Sequence, residues 1–228
     1  MEITRDFIFD SALVLYLPLY KLDGANIASQ DARGYLCTVT GALWTPRGRD
    51  FDGVDDRITI GTLVTTVLNG TSAITILAWI KNDDLPGVGA LRPIWESRVF
   101  DVAGIQLTLV EGSKIRFGGR SVSTDAFQYD ETVTYDTTGT WRQVGVILDF
   151  ANDLVIGIID GLEVVSKAVT FANTTYTIGS PDANDTIGAN AGATVFFNGL
   201  IGEVFGYNKR VFPPEYQRLY LETKWRYR

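Results

Sequence analysis

"TWRQVGVILDFANDLVIGIIDGLEVV", residues 140–165, decides the fold. The runs "RQVGVILDF" (142–150), "LVIGIID" (154–160) and "LEVVSKAV" (162–169) are short, apolar and rich in Val and Ile. Branched side chains of this kind suit a pleated, half-buried surface, so each run reads as a strand. The first two are separated by "DFAND" at 149–153, a cluster of turn formers. Between the second and third stand only Asp160 and Gly161. A two-residue type I′ turn needs positive φ at both central positions, and Asp-Gly supplies it, so this pair predicts a tight hairpin.

The same pattern extends in both directions. "ALVLYLPLY" (12–20) is apolar on both faces and suits a central strand, although Pro18 needs an edge or a bulge. "DRITIG" (56–61) alternates, with Ile58 and Ile60 on one face and Arg57 and Thr59 on the other. "AITILAWIK" (73–81), "GIQLTLV" (104–110), "SKIRFGG" (113–119) and "TVFFNGLIGEVFGYN" (194–208) complete the series, with turns at "LPGVG" (85–89), "EGS" (111–113) and "SPDAND" (180–185). One helix is predicted, "PPEYQRLYLETKW", opening on Pro213 and Pro214 with Glu215 in its first turn. Many short strands with regular turns and one terminal helix predict an all-β, antiparallel two-sheet sandwich, with residues 1–228 forming one domain.

Composition excludes several chemistries. There is no histidine, which removes Ser-His-Asp and Cys-His triads and imidazole zinc sites. The single cysteine, Cys37, sits in a strand-like run and reads as a small buried hydrophobe. The net charge of −7 argues against nucleic-acid binding, which needs a cationic surface. The one basic stretch, "KWRYR" at 224–228, reads as a frayed or docked terminus. No apolar run is long enough to span a bilayer, and "MEITRDFIFD" lacks the basic start and apolar core of an export signal. Asn-X-Thr triplets at Asn69, Asn173 and Asn184 are what a threonine-rich chain yields by chance.

In order along the chain, "LVLYLPL", "QDARGYLCTVTGALWTPRGRDFDGVDDRITIG", "ITILAWIK", "TWRQVGVILDFANDLVIGIIDGLEVV" and "FFNGLIGEVFGYNKRVFPPEYQRLY" resemble the successive motifs of the laminin G-like, concanavalin A-like jelly-roll domains. The likeness covers nearly the whole chain and implies a jelly roll with one short C-terminal helix. Such domains bind glycans or proteins, support catalytic modules, or form parts of surfaces and virus particles, so fold alone does not decide function.

The stretch "FDGVDD" (51–56) admits two readings. In the architectural one, Phe51 and Val54 point inward, Gly53 takes a φ other residues resist, and the aspartates accept backbone hydrogen bonds. In the other, a structural Ca²⁺ takes hard oxygen ligands from several segments, and the resemblance offers Asp31, Asp56 and Glu203. The family often carries an acid immediately before that glutamate, where this chain has Gly202. Among the aromatics, the family buries the strands of Trp79 and Trp141. Trp44 and Trp95 border loops and, with Tyr35, are the sugar-stacking candidates, set against burial in the core.

Glycoside hydrolysis requires two carboxylates facing each other across the sugar. No strand carries acids in alternation, so catalysis by a glycosidase or lyase is set aside and the protein is expected not to be an enzyme. The leading expectation is a non-catalytic glycan-binding or adhesion module, needing no cofactor beyond a structural Ca²⁺, acting outside the cell on a glycan or protein partner. The alternative is a decoration, fibre or tail component of a virus particle, assembled as a homo-oligomer. Neither role involves nucleic acid or membrane.

Overall fold

The computed structural model describes residues 6–61, 66–97, 104–131, 135, 138–177 and 185–228. Asn184, with all but the last residue of the 180–185 turn, lies outside them. Two antiparallel sheets face each other. The first runs β14 (Leu162–Ala168), β13 (Leu154–Ile159), β12 (Arg142–Asp149), β7 (Ala73–Asn82), β16 (Asn198–Tyr207), β5 (Gly48–Asp52) and β4 (Leu43–Thr45). The second runs β11 (Gln128–Glu131), β10 (Lys114–Arg120), β9 (Gly104–Val110), β8 (Leu91–Glu96), β15 (Asp185–Ile187), β6 (Arg57–Gly61), β3 (Leu36–Thr40) and β2 (Asn26–Ala28). This is the expected sandwich.

Strand β1 (Leu13–Pro18) differs from its expectation as a central strand: among the described residues it pairs only with β16. Strand β5 pairs with residues 198–201 of β16 and β1 with residues 203–207, so the two share one edge of that strand end to end. Pro18 closes the ladder, where its missing N–H costs no central hydrogen bond. Burial of both faces of β1 has a different cause from central placement. Val14, Leu15 and Leu17 enter the inter-sheet core, while Leu13 and Tyr16 enter a second cluster on the outside of the first sheet.

That outer cluster explains why the central strands are apolar throughout. In β7, Ile74, Ile76, Ala78 and Ile80 face the second sheet, and Leu77 and Trp79 face outward. The outward side is covered by Phe7 from a 3₁₀ turn at Asp6–Phe9 and by Tyr216 and Leu219 of the C-terminal helix, Pro213–Thr223. Buried side chains of this size each contribute on the order of 1.5–3 kcal/mol, so both coats stabilise the sheet substantially. The helix continues into a 3₁₀ turn, Lys224–Tyr227. The basic tail is docked. Elsewhere Cys37 is buried, and burial pushes its thiol up to about 12, which removes it as a nucleophile.

The hairpin forms as expected. Asp160 and Gly161 have φ of +52° and +74° between β13 and β14. Asp160 also accepts from the Gln143 amide at 3.0 Å and pairs with Arg142, which ties the turn to β12. A Cβ at position 161 would stand 2.9 Å from Tyr220 Cβ on the helix. Gly161→Val therefore meets both a forbidden φ and a packed neighbour, and is expected to destabilise by more than about 1 kcal/mol. A lowered denaturation midpoint with unchanged slope checks this.

Candidate functional site

Strand β5 leads into the acidic turn, and its local chemistry is visible bond by bond. Gly53 adopts φ +77°. Asp52 Oδ1 accepts from the Val54 amide at 2.8 Å, and Asp56 Oδ2 accepts from the Asp52 amide at 2.8 Å. These bonds turn the chain toward β6, where Ile58 and Ile60 are buried as their alternation requires. Phe51 is fully buried, but Val54 is 68% exposed: it caps the tip, because the carboxylate bonds turn it away from the core.

One oxygen each of Asp52, Asp55 and Asp56 lies within 4.8 Å of the others. With Asp50, Asp83 and Asn198 they line a cleft of about 560 Å³. Burial pushes the carboxyl of Asp56 above its usual range, and the charges of Asp52, Asp55 and Asp50 add to the rise against the Asp52 amide bond. Asp50 is raised by burial and then by Asp83. Oxygen donors of this kind suit a hard divalent cation, although one oxygen of Asp56 and one of Asp52 already serve backbone amides.

The other two residues expected to join Asp56 in a calcium set are committed elsewhere. Asp31 accepts from the amides of Tyr16 at 3.0 Å and Arg33 at 2.8 Å. Glu203 is fully buried in β16 and pairs with Arg226 at 2.6 Å, while Tyr16 Oη donates to the same oxygen at 2.9 Å. Asp31, Asp56 and Glu203 are not gathered at one point; among the described residues the one three-acid group is Asp52, Asp55 and Asp56. Gly202, standing where the family often has an acid, has a steric role. A Cβ there would lie 2.5 Å from the Tyr227 ring, so the bare backbone makes room for the tail.

That tail builds a second concavity. Tyr227 stacks on Trp79 with centroids 4.5 Å apart and lies 4.6 Å from Trp141. Trp79 Nε1 donates to Thr223 Oγ1 at 2.8 Å. So anchored, Trp225, Arg226 and Tyr227 meet Tyr20, Lys21, Pro46 and Arg47 around a cleft of about 310 Å³. The Arg226 guanidinium lies over the Tyr20 and Trp225 rings, 5.1 and 4.7 Å from their centroids. Trp225 is 55% exposed.

Of the three sugar-stacking candidates, Trp44 adjoins this cleft: it is 41% exposed and its Nε1 donates to the Tyr20 carbonyl at 3.2 Å. Trp95 does not; it is fully buried between the sheets, because a bulge after Pro93 turns both Ile94 and Trp95 inward. Tyr35 is half-buried against the main core. Tyr20, Arg47 and Trp225 were missed. For Trp225 the signal was the alternation of aromatics and basics in "KWRYR"; that stretch alone does not reveal Tyr20 and Arg47 as its partners.

A family model described as the concanavalin A-like lectin/glucanases superfamily, of laminin G type, matches residues 52–215. Among solved structures, the chain is similar to Trypanosoma rangeli sialidase, with TM-score 0.69 and 16% identity over 94% of this chain and 33% of that one. It is also similar to the receptor binding domain of botulinum neurotoxin C/D mosaic serotype, with TM-score 0.70 and 12% identity over 93% of this chain and 51% of that one. The chain thus spans about a third and a half of these structures. No curated sequence matches it.

Two outcomes follow from the geometry. Arg226→Ala leaves Glu203 buried without its counter-charge, and is expected to destabilise by about 3 kcal/mol or more in a denaturant titration. Asp56, with its pKa raised, contributes stability that is present below its unfolded value of about 3.8 and lost as pH rises through the folded value. Asp56→Asn keeps an acceptor for the Asp52 amide and removes the repelled charge. It is expected to melt at or above the parent temperature at pH 7, with any advantage gone below pH 4, whereas Asp56→Ala melts lower at pH 7.

Proposed function

Because the chain belongs to the concanavalin A-like lectin/glucanases superfamily, we propose that it is a non-catalytic carbohydrate-binding module whose binding surface is the cleft of Tyr20 and Trp225. The observation that carries this reading is Trp225, exposed in the lining of this cleft, with Trp44 exposed beside it on the Tyr20 backbone, in a fold that buries its other three tryptophans. Indole faces stack on the apolar faces of pyranose rings, and a cleft of this volume is at the lower end of the usual range for small-ligand sites. Similarity to a domain described as receptor-binding supports a recognition role.

Similarity to a sialidase raises catalysis as the competing reading. Against it, the described lining of the cleft contains no carboxylate, and Glu203, joined to it through Arg226, is buried in an ion pair. Two carboxylates about 5–9.5 Å apart across the sugar are what glycoside hydrolysis needs. A module of this kind works on an extracellular surface; no described helix is long and apolar enough to cross a membrane.

Binding at this cleft requires no metal. A calcium ion held at 100 times its Kd would stabilise the fold by about 2.7 kcal/mol. If the acidic turn is architectural, chelator and added calcium leave the melting temperature unchanged; a rise of several degrees, abolished in Asp55→Asn, would assign the cleft to calcium instead.

The function itself is tested on a glycan array followed by calorimetry. Trp225→Ala is expected to weaken the best glycan by about tenfold, the equivalent of about 1.4 kcal/mol, without moving the melting temperature. Unaltered affinity in both Trp225→Ala and Trp44→Ala would overturn this site.

A further inference from the structure

The charge around the aromatic cleft opposes that of the molecule. The whole chain carries −7, yet the cleft is lined by Lys21, Arg47 and Arg226 with no acid among its described residues. Arg226 is neutralised by Glu203. Arg47 differs: it sits exposed at the tip of the β4–β5 hairpin, and no described carboxylate pairs with it. Its backbone is held, since Thr45 Oγ1 accepts from the Arg47 amide at 3.2 Å and donates to the Gly48 carbonyl at 2.9 Å. Arg47 is therefore a cationic residue on a held turn that lines the same cleft as Tyr20 and Trp225. Lys21 adds a second charge, with Nζ 5.5 Å from the Tyr20 centroid.

Resting on the carbohydrate-binding reading, we propose that the ligand of this cleft is an acidic saccharide, whose ring stacks on Trp225 or Tyr20 and whose carboxylate or sulfate is taken by Arg47 with support from Lys21. A guanidinium presents two parallel N–H donors that match a carboxylate or a sulfate face, which an ammonium does not. Screening decides whether the acidic surface outweighs it. At 0.1 M salt the Debye length is about 10 Å, so charges in the cleft act on a bound anion while the distant acids are largely screened.

Calorimetric titrations at 0.1 M salt with two matched pairs test this: oligogalacturonate against its methyl ester, and dextran sulfate fragments against dextran fragments. At least one acidic member is expected to bind about tenfold or more tightly than its neutral partner, and which pair shows the preference identifies carboxylate or sulfate as the group. Arg47→Ala is expected to erase the preference, Arg47→Lys to restore part of it, and Trp225→Ala to weaken the acidic ligand while the melting temperature stays constant. Equal binding of acidic and neutral members overturns the inference and leaves the carbohydrate reading standing. Binding of none of the four, together with an empty glycan array, overturns both. A preference that survives Arg47→Ala shows that the anion is read elsewhere and overturns the site.

Discussion

The buried pair of Glu203 and Arg226 is the interaction on which the functional surface depends. A carboxylate with no solvent exposure in the middle of a sheet is tolerable only with a charge partner and hydrogen bonds of good geometry. Here Arg226 lies at 2.6 Å and the Tyr16 hydroxyl at 2.9 Å from the same oxygen. The partner arrives from the last residues of the chain, so satisfying one strand residue obliges the tail to fold back across the sheet. Gly202 leaves the space for this, and Tyr227 fills it between Trp79 and Trp141. Trp225 is thereby held at the surface, facing the tip of the β4–β5 hairpin.

A second consequence concerns the first sheet as a whole. Its strands are buried on both faces, which requires a coat of apolar groups from both ends of the chain. The tail that follows the helix and completes the coat also lines the cleft, so a change that loosens the tail is felt in both. The acidic turn lies at the other end of β5 from the hairpin tip that lines the cleft. Burial, and after it the neighbouring carboxylates, raise the pKa of Asp50 and Asp56 and cost stability at neutral pH, while the backbone bonds to Asp52 and Asp56 give those acids a structural reason to be present.

Most of the fold was legible because its signals are local. Alternation in residues 57–60, Val- and Ile-rich runs, and Asp160-Gly161 each specify their own neighbourhood. Legibility fails where burial is decided at a distance. Nothing in "RPIWE" announces the bulge that turns Trp95 inward, and β1 looks central although its second coat comes from Phe7 and β16. The candidate site was legible only in part. Trp44 could be named from its loop position, but the cleft joins residues 20–21, 46–47 and 225–227, whose meeting follows from the pairing of residue 203 with residue 226. Likewise Asp31, Asp56 and Glu203 are acids of the right type that the fold does not gather, and hydrogen-bond partners claim an oxygen of each.

The central claim is that a saccharide docks on the tail-built cleft. The five indole N–H groups of the chain give separate nuclear magnetic resonance signals, and two of them, from Trp44 and Trp225, border that surface while Trp79, Trp95 and Trp141 are buried. Titration with the tightest-binding glycan should shift the Trp225 and Trp44 signals saturably and leave the other three in place. Shifts confined to the buried indoles, or no shift at any of the five with any glycan, would contradict the account.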